Sequence, residues 1–282
     1  PAISTDLRLT VVAPSWVPRP HRGTHEGATT VSRKSVLIAG ESWTVHSVHH
    51  KGFDSFTTTE YAEGVRWLRD ALEAAGWDVT YQPAHVAATD FPSTTEELSA
   101  YDCVIISDVG ANTLLLHPET FTKSVARPDR LAVLRDWVHD GGGLIMVGGY
   151  LTFQGVDAKA RYAGTPVEDA LPVTMHPHDD RAERPAGVVP EVDMPGHPAL
   201  AGVPGTWPHL LGYNAVVARP EADLVVSVGG DPLVATWSYG KGRSVAFTSD
   251  CGPHWAPPAF TDWKGYGPLW DGMVSWAAGA GR

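Results

Sequence analysis

The stretch Gly141-Gly-Gly-Leu-Ile-Met-Val-Gly-Gly-Tyr150-Leu-Thr-Phe-Gln-Gly155 decides how the rest of the chain is read. An amphipathic segment stops at the first glycines, four apolar residues (144–147) follow, and two further glycines break the run before Tyr150. A helix ended by glycine, a run apolar on both faces and a sharp turn together predict a buried parallel strand. In open α/β sheets ligands gather outside the carboxyl ends of the strands, so chemistry is expected at the turn after Val147. A nucleophilic cysteine or serine belongs at such a bend, yet the chain places Gly148, Gly149 and Tyr150 there.

Working outward, residues 35–39 (Ser-Val-Leu-Ile-Ala) read as a buried strand with Gly40-Glu-Ser-Trp43 at its end. Thr57 and Glu60 have the spacing of a capping box, and Tyr61, Val65, Leu68 and Leu72 mark one face of a helix that Gly76 closes. Residues 77–81 and 102–108 read as the second and third strands, the latter followed by Val109-Gly-Ala-Asn112. Leu131, Leu134, Trp137 and Val138 predict a helix entered after Pro128 and closed at Gly141. This alternation is that of a doubly wound parallel sheet. Right-handed crossovers then bring Gly40-Glu41, Asp108-Val109-Gly110 and Gly148-Gly149-Tyr150 to one rim.

Residues 156–212 are irregular, an insertion placed to cover the site. Strand-like runs at 214–218, 224–228, 233–237 and 244–247, with Tyr239-Gly-Lys-Gly242 as a tight turn, predict an antiparallel extension of the sheet. Tyr266, Leu269, Trp270, Met273, Val274 and Ala277 mark a closing helix. The fold expected is a three-layer, flavodoxin-like α/β domain with a mixed, mainly parallel sheet over 35–282. It is preceded by an N-terminal arm, 1–34, with one strand-like run at 7–12.

At 282 residues and 43% hydrophobic, the chain can bury a substantial core. Its formal charge of −11 argues against nucleic acid and anionic membranes, which select basic surfaces. No apolar run has the length of a membrane span, and no signal-peptide pattern opens the sequence. Two distant cysteines, Cys103 and Cys251, give no disulfide framework, so a cytoplasmic location is expected. The partner expected is a small-molecule substrate, with no cofactor. The arm and eleven tryptophans make a homo-oligomer an expectation too.

Several separated motifs agree on a relative: Gly40-Glu-Ser-Trp43, Lys51-Gly-Phe-Asp54, Ser107-Asp-Val-Gly-Ala-Asn112, Leu211-Gly-Tyr-Asn214 and Ser249-Asp-Cys-Gly-Pro-His-Trp255. Through them the chain resembles the class I glutamine amidotransferase-like superfamily. More narrowly it resembles the bacterial family named "putative glutamine amidotransferase", of unknown activity and akin in fold to trehalose-utilisation proteins. The resemblance spans roughly residues 35 to 280. It implies a cysteine on the bend, a histidine after a late strand, a carboxylate two residues on and an oxyanion loop. Gly110 falls in the oxyanion loop and His254 follows the right strand. The nucleophile position falls on Gly149 or Tyr150, and the orienting carboxylate on Ala256. Without a thiolate there, no glutamyl thioester forms, and glutamine hydrolysis by the usual route is not expected.

The candidate catalytic residues are His254, Cys251, Glu41, Asp108 and Tyr150; the candidate substrate-binding residues are Trp43, Gly110, Asn112, Gly149, Asp250 and Trp255. Cys251 is either a relocated nucleophile with His254 as base or a thiol packed beneath Trp255. Glu41 and Asp108, at strand ends, are either site carboxylates or turn caps. Tyr150 either donates to a substrate oxygen or fills the space of a lost site. His46, His49 and His50, with His176, His178 and Asp179, are either metal ligands, His46 and His49 sharing one helical face, or a solvated or substrate-facing loop. Lys51 and Asp54 are substrate contacts or an internal ion pair. Gly240-Lys-Gly242 lacks the strand-to-helix context of a phosphate loop. The reading favoured is acid/base chemistry on a small polar metabolite, a carbohydrate or an amide. The alternatives are a non-catalytic module of the same fold and, more weakly, a metal-dependent hydrolase.

Overall fold

The computed structural model describes residues 34–279. The N-terminal arm, with its strand-like run at 7–12, therefore lies outside the described residues except for Lys34. Fourteen strands are described: β1 (Ser35–Gly40), β2 (Ser42–Lys51), β3 (Asp54–Glu63), β4 (Asp78–Gln82), β5 (Cys103–Ser107), β6 (Gly143–Val147), β7 (Val173–Met175), β8 (Arg181–Val188), β9 (Glu191–Val192), β10 (Leu210–Asn214), β11 (Val216–Ala218), β12 (Asp223–Val228), β13 (Asp231–Tyr239) and β14 (Gly242–Phe247).

Eight of them form one sheet in the order β4-β1-β5-β6-β14-β13-β12-β9. The first five are parallel, and β13, β12 and β9 extend the sheet antiparallel. Every residue of β5 and β6 is buried, which requires cover on both faces. Val36, Ile38, Ile105, Ile145 and Val147 pack with the helices Arg66–Ala74 and Tyr266–Ala277. The alternate residues, Leu37, Val104, Ile106, Leu144 and Met146, pack with Ala84–Asp90, Ala111–Leu115 and Arg130–His139. Each such side chain contributes about 1.5–3 kcal/mol by leaving water. The result is the three-layer, mainly parallel fold that the strand pattern predicts. None of the described helices is long and apolar enough to cross a membrane.

The strand order reverses between β1 and β5, and the carboxyl ends of those two strands mark the topological switch point where α/β sheets bind ligands. Glu41 follows one end and Asp108 the other. The approach is tight: a Cβ on Gly40 would lie 1.8 Å from the Ser107 carbonyl oxygen.

Three local expectations are overturned. Thr57 and Glu60 cap no helix; they lie in β3, paired with Val48 and Val45, because the β-branched run Thr57-Thr-Thr59 suits an extended chain, and the helix starts only at Arg66. Tyr61 belongs to the same strand rather than to the helix face of Leu68 and Leu72. The run 214–218 is two strands with Ala215 between them, pairing separately with β8 and β7. The region 156–212 is also less irregular than its composition suggests: it holds β7 to β9, the start of β10 and the helix Pro166–Ala170.

Candidate functional site

Five side chains converge beyond the carboxyl ends of β1, β5 and β14. Glu41 Oε1 accepts a hydrogen bond from Ser107 Oγ at 2.5 Å, and Cys251 Sγ lies 3.8 Å from the same hydroxyl. Glu41, Asp250 and Cys251 bring one ligand atom each to within 4.8 Å of one another. Asp250 Oδ2 lies 3.2 Å from His254 Nδ1. The His254 ring stacks on Trp255, centroids 4.9 Å apart, and meets Tyr150 edge to face at 4.4 Å.

Burial sets the charges. Glu41 is almost inaccessible; desolvation first, and then the charges of Asp250 and Asp108, hold its carboxyl well above the usual carboxylate range. Burial, then the charge of Glu41, does the same to the Cys251 thiol. Asp108 is raised by burial and then by Asp250, against the Leu151 amide that donates to Oδ1 at 2.8 Å. The inner cluster is thus Glu41, Ser107 and Cys251, with both the carboxyl and the thiol biased by burial towards their protonated forms.

The bend after β6 carries no helix behind it, so it is not a nucleophile elbow. Gly148 is required because the Thr248 carbonyl oxygen passes 2.0 Å from where its Cβ would stand. Three amides around the bend and the expected oxyanion loop already have acceptors. Gly149 N donates to Asn214 Oδ1 at 2.9 Å, Leu151 N to Asp108, and Ala111 N, in the expected oxyanion loop, to the Ala160 carbonyl at 2.8 Å.

The sequence-derived residues separate accordingly. Glu41, Asp108, Gly149, Tyr150, Asp250, Cys251, His254 and Trp255 come together, and Trp43 packs beside Gly64 next to Glu41. Gly110 sits under Ala160, and Asn112 is exposed on the following helix, so both are marginal. The Cys251–His254 pairing does not form. The thiol is buried against Ser107 and Glu41, and the imidazole turns to Asp250. The Tyr150 hydroxyl donates to Glu183 at 3.2 Å, and Trp255 Nε1 donates to the other oxygen of Glu183 at 3.0 Å.

Among the described residues the histidines do not converge into a set of three ligand atoms. His46 and His49 lie on an exposed strand, bonded to Thr59 and Thr58. His176 stacks on His178 at 5.2 Å, and Asp179 is taken by Arg181, whose guanidinium holds its carboxyl far below the ordinary range. Lys51 and Asp54 close the tip of the same hairpin, away from Glu41.

Sequence reasoning missed four residues. Asn214 is fully buried and clamps Gly149 through both its amide and its carbonyl, while donating to Asp180 Oδ1 at 2.8 Å. Asp180 in turn accepts the amides of Gln154 and Gly155. Ser107 and Glu183 complete the set. The polar ends of the Leu211-Gly-Tyr-Asn214 and Ser107-Asp-Val-Gly motifs were the available signal. Two hollows of about 360 and 420 Å³ lie elsewhere, one lined by Asp140 and Gly141 at the amino ends of β6 and β14, the other by Trp207 and Trp263. Neither includes a member of the cluster, and the chemistry is better placed at the switch point.

A family model described as "Putative glutamine amidotransferase" matches residues 35–279. Among solved structures the chain is similar to "Cytoplasmic Protein STM3548 from Salmonella typhimurium", 43% identical with a TM-score of 0.83, over 86% of this chain and 98% of that one. It is similar likewise to "Cytoplasmic Protein STM1381 from Salmonella typhimurium LT2", 42% identical with a TM-score of 0.83, over 86% and 99%. No curated protein matches it.

Proposed function

The chain belongs to the family described as "putative glutamine amidotransferase", and from that premise we propose that its site does acid/base chemistry on a small polar metabolite, a carbohydrate or an amide, without a covalent thioester. The observation that carries this reading is the Asp250–His254 pair at the switch point. A carboxylate on Nδ1 fixes the tautomer in which Nε2 accepts a proton, and it stabilises the imidazolium that results. Burial and the neighbouring Asp250 and Asp108 bias Glu41 towards its protonated form, and Asp108 fixes the loop that carries Tyr150. The buried thiol and the bonded amides of Gly149, Leu151 and Ala111 speak against acyl transfer. Both similar structures bear the word cytoplasmic in their titles, and that compartment is the one proposed here.

A second reading is a non-catalytic binding module, favoured by the same filled amides and by Tyr150 lying over His254. Incubating the protein with a panel of sugars and carboxamides separates the two. The enzyme reading expects turnover that disappears in His254→Gln and falls in Asp250→Asn. Saturable binding with no turnover, and unchanged by either substitution, sinks it in favour of the module.

A further inference from the structure

Among the described residues, the hairpin of β2 and β3 is a long element that neither core absorbs. Its ten rungs run from Ser42/Glu63 to Lys51/Asp54, about 33 Å at ~3.3 Å per residue. Among the described residues it pairs with no other strand, and all its residues except Ser42, Ser47 and Ala62 are exposed. A lone two-stranded ribbon is marginally stable in water, and long bare edges invite a partner.

Its two faces differ. One carries Trp43, Val45, Ser47, His49 and Lys51 opposite Ala62, Glu60, Thr58, Phe56 and Asp54. Trp43, Val45 and Phe56 there are 43%, 42% and 49% exposed. The other face is mainly threonine, serine and histidine, with Val48 and Tyr61.

We propose that the Trp43/Phe56 face docks on the same face of a second copy of this chain, the arms antiparallel about a two-fold axis at the Ser47/Thr58 rung. A two-fold interface must be self-complementary, and this rung order is. Reversed, the Val45/Glu60 rung meets the partner's His49 and Phe56, giving apolar contact and a carboxylate beside an imidazole. The Trp43/Ala62 rung meets the partner's Lys51 and Asp54, which sets an ammonium near an indole face. The small Ser47/Thr58 rung meets itself, where close approach is needed, and no like charges face each other.

Length and area specify more. A face ~33 Å by ~10 Å covers about 330 Å² per copy, short of the ~800 Å² per partner of a standard interface. Phe53 at the arm's tip adds about 150–250 Å², and the rest must come from the surface beside the arm's base that the tip reaches. In this register the turn residue Phe53, which is fully exposed, falls level with the partner's Glu41 and Gly64. Each arm would thus lie along the rim of its mate's site. The proposal is independent of the chemistry assigned to that site.

Light scattering of the full chain at tens of micromolar tests it. The expected mass is twice the 30.2 kDa of one chain. The double variant Val45→Glu with Phe56→Glu should halve it while leaving circular dichroism unchanged, since both side chains are exposed. Thr58→Cys, at the axis, should form a disulfide-linked dimer on oxidation, the two native thiols being buried; Thr57→Cys, on the other face, should not. A monomeric wild type, a double variant that stays dimeric, or equal cross-linking at 57 and 58 would each overturn the assignment.

Discussion

Glu41 and Asp108 end adjacent parallel strands, and each holds a left-handed backbone, φ 48° and 44°. That conformation costs a non-glycine residue roughly 1–2 kcal/mol, and it recurs where a site over-determines the chain. Here it turns both side chains into the crevice of the switch point, where Ser107 and the loop after β6 hold them.

The Glu41 carboxyl, raised by burial, keeps a proton in the folded state that the unfolded chain loses near its ordinary value of about 4.3. The folded state then binds more protons, so this group lowers stability as pH rises from about 4.3 towards the raised folded value. Glu41→Gln removes the effect and keeps an acceptor for Ser107. The variant is expected to melt above wild type at pH 8, with the gap narrowing at pH 5. Parallel melting curves across that range would refute it.

Asp108 fixes the loop after β6 through the Leu151 amide. Asp108→Ala loses that bond and puts alanine in a left-handed conformation, for an expected loss of about 2–3 kcal/mol in urea unfolding. Asp108→Asn retains an acceptor and tolerates the backbone, so it should lose less than about 1 kcal/mol. Equal losses in the two variants would contradict both assignments, since Asp108→Asn keeps the acceptor and the backbone tolerance and gives up only the charge.

Asn214 satisfies both polar groups of Gly149 and one oxygen of Asp180 in a site closed to water. Asn214→Ala leaves these unpaired and should cost about 2–4 kcal/mol. Asn214→Asp, placing a second carboxyl against Asp180, is expected to be worse at pH 8 than at pH 5. Stability of Asn214→Asp that does not change with pH would contradict the assigned contact.

Both thiols are buried, and burial keeps Cys251 protonated. A thiol reagent should label neither in the native protein and both after denaturation. Glutamine should yield no ammonia above background, with Cys251→Ala indistinguishable from wild type. Ammonia release that this substitution abolishes would restore a thiol mechanism.

The apolar runs at β1, β5 and β6 and their glycine punctuation were enough to read the parallel core and the rim, because a strand covered on both faces has no freedom in residue type. The same local logic failed at Thr57-Thr-Thr59 and Glu60. A capping-box spacing is only four residues of pattern, while the ten-rung pairing with β2 is a longer-range fact that overrides it.

From the sequence alone came the strand-end candidates Glu41, Asp108, Asp250 and His254, and the absence of a thiol at the bend, since residue identity and strand termini are both written in one dimension. Which of them touch was decided by the fold. Cys251 and His254 are three residues apart in the chain, yet the thiol packs in the core against Ser107 and Glu41 while the more exposed imidazole bonds to Asp250. Protonation followed the same division, because the field at a carboxyl depends on the dielectric and the charges packed around it, and these exist only once distant strands have met.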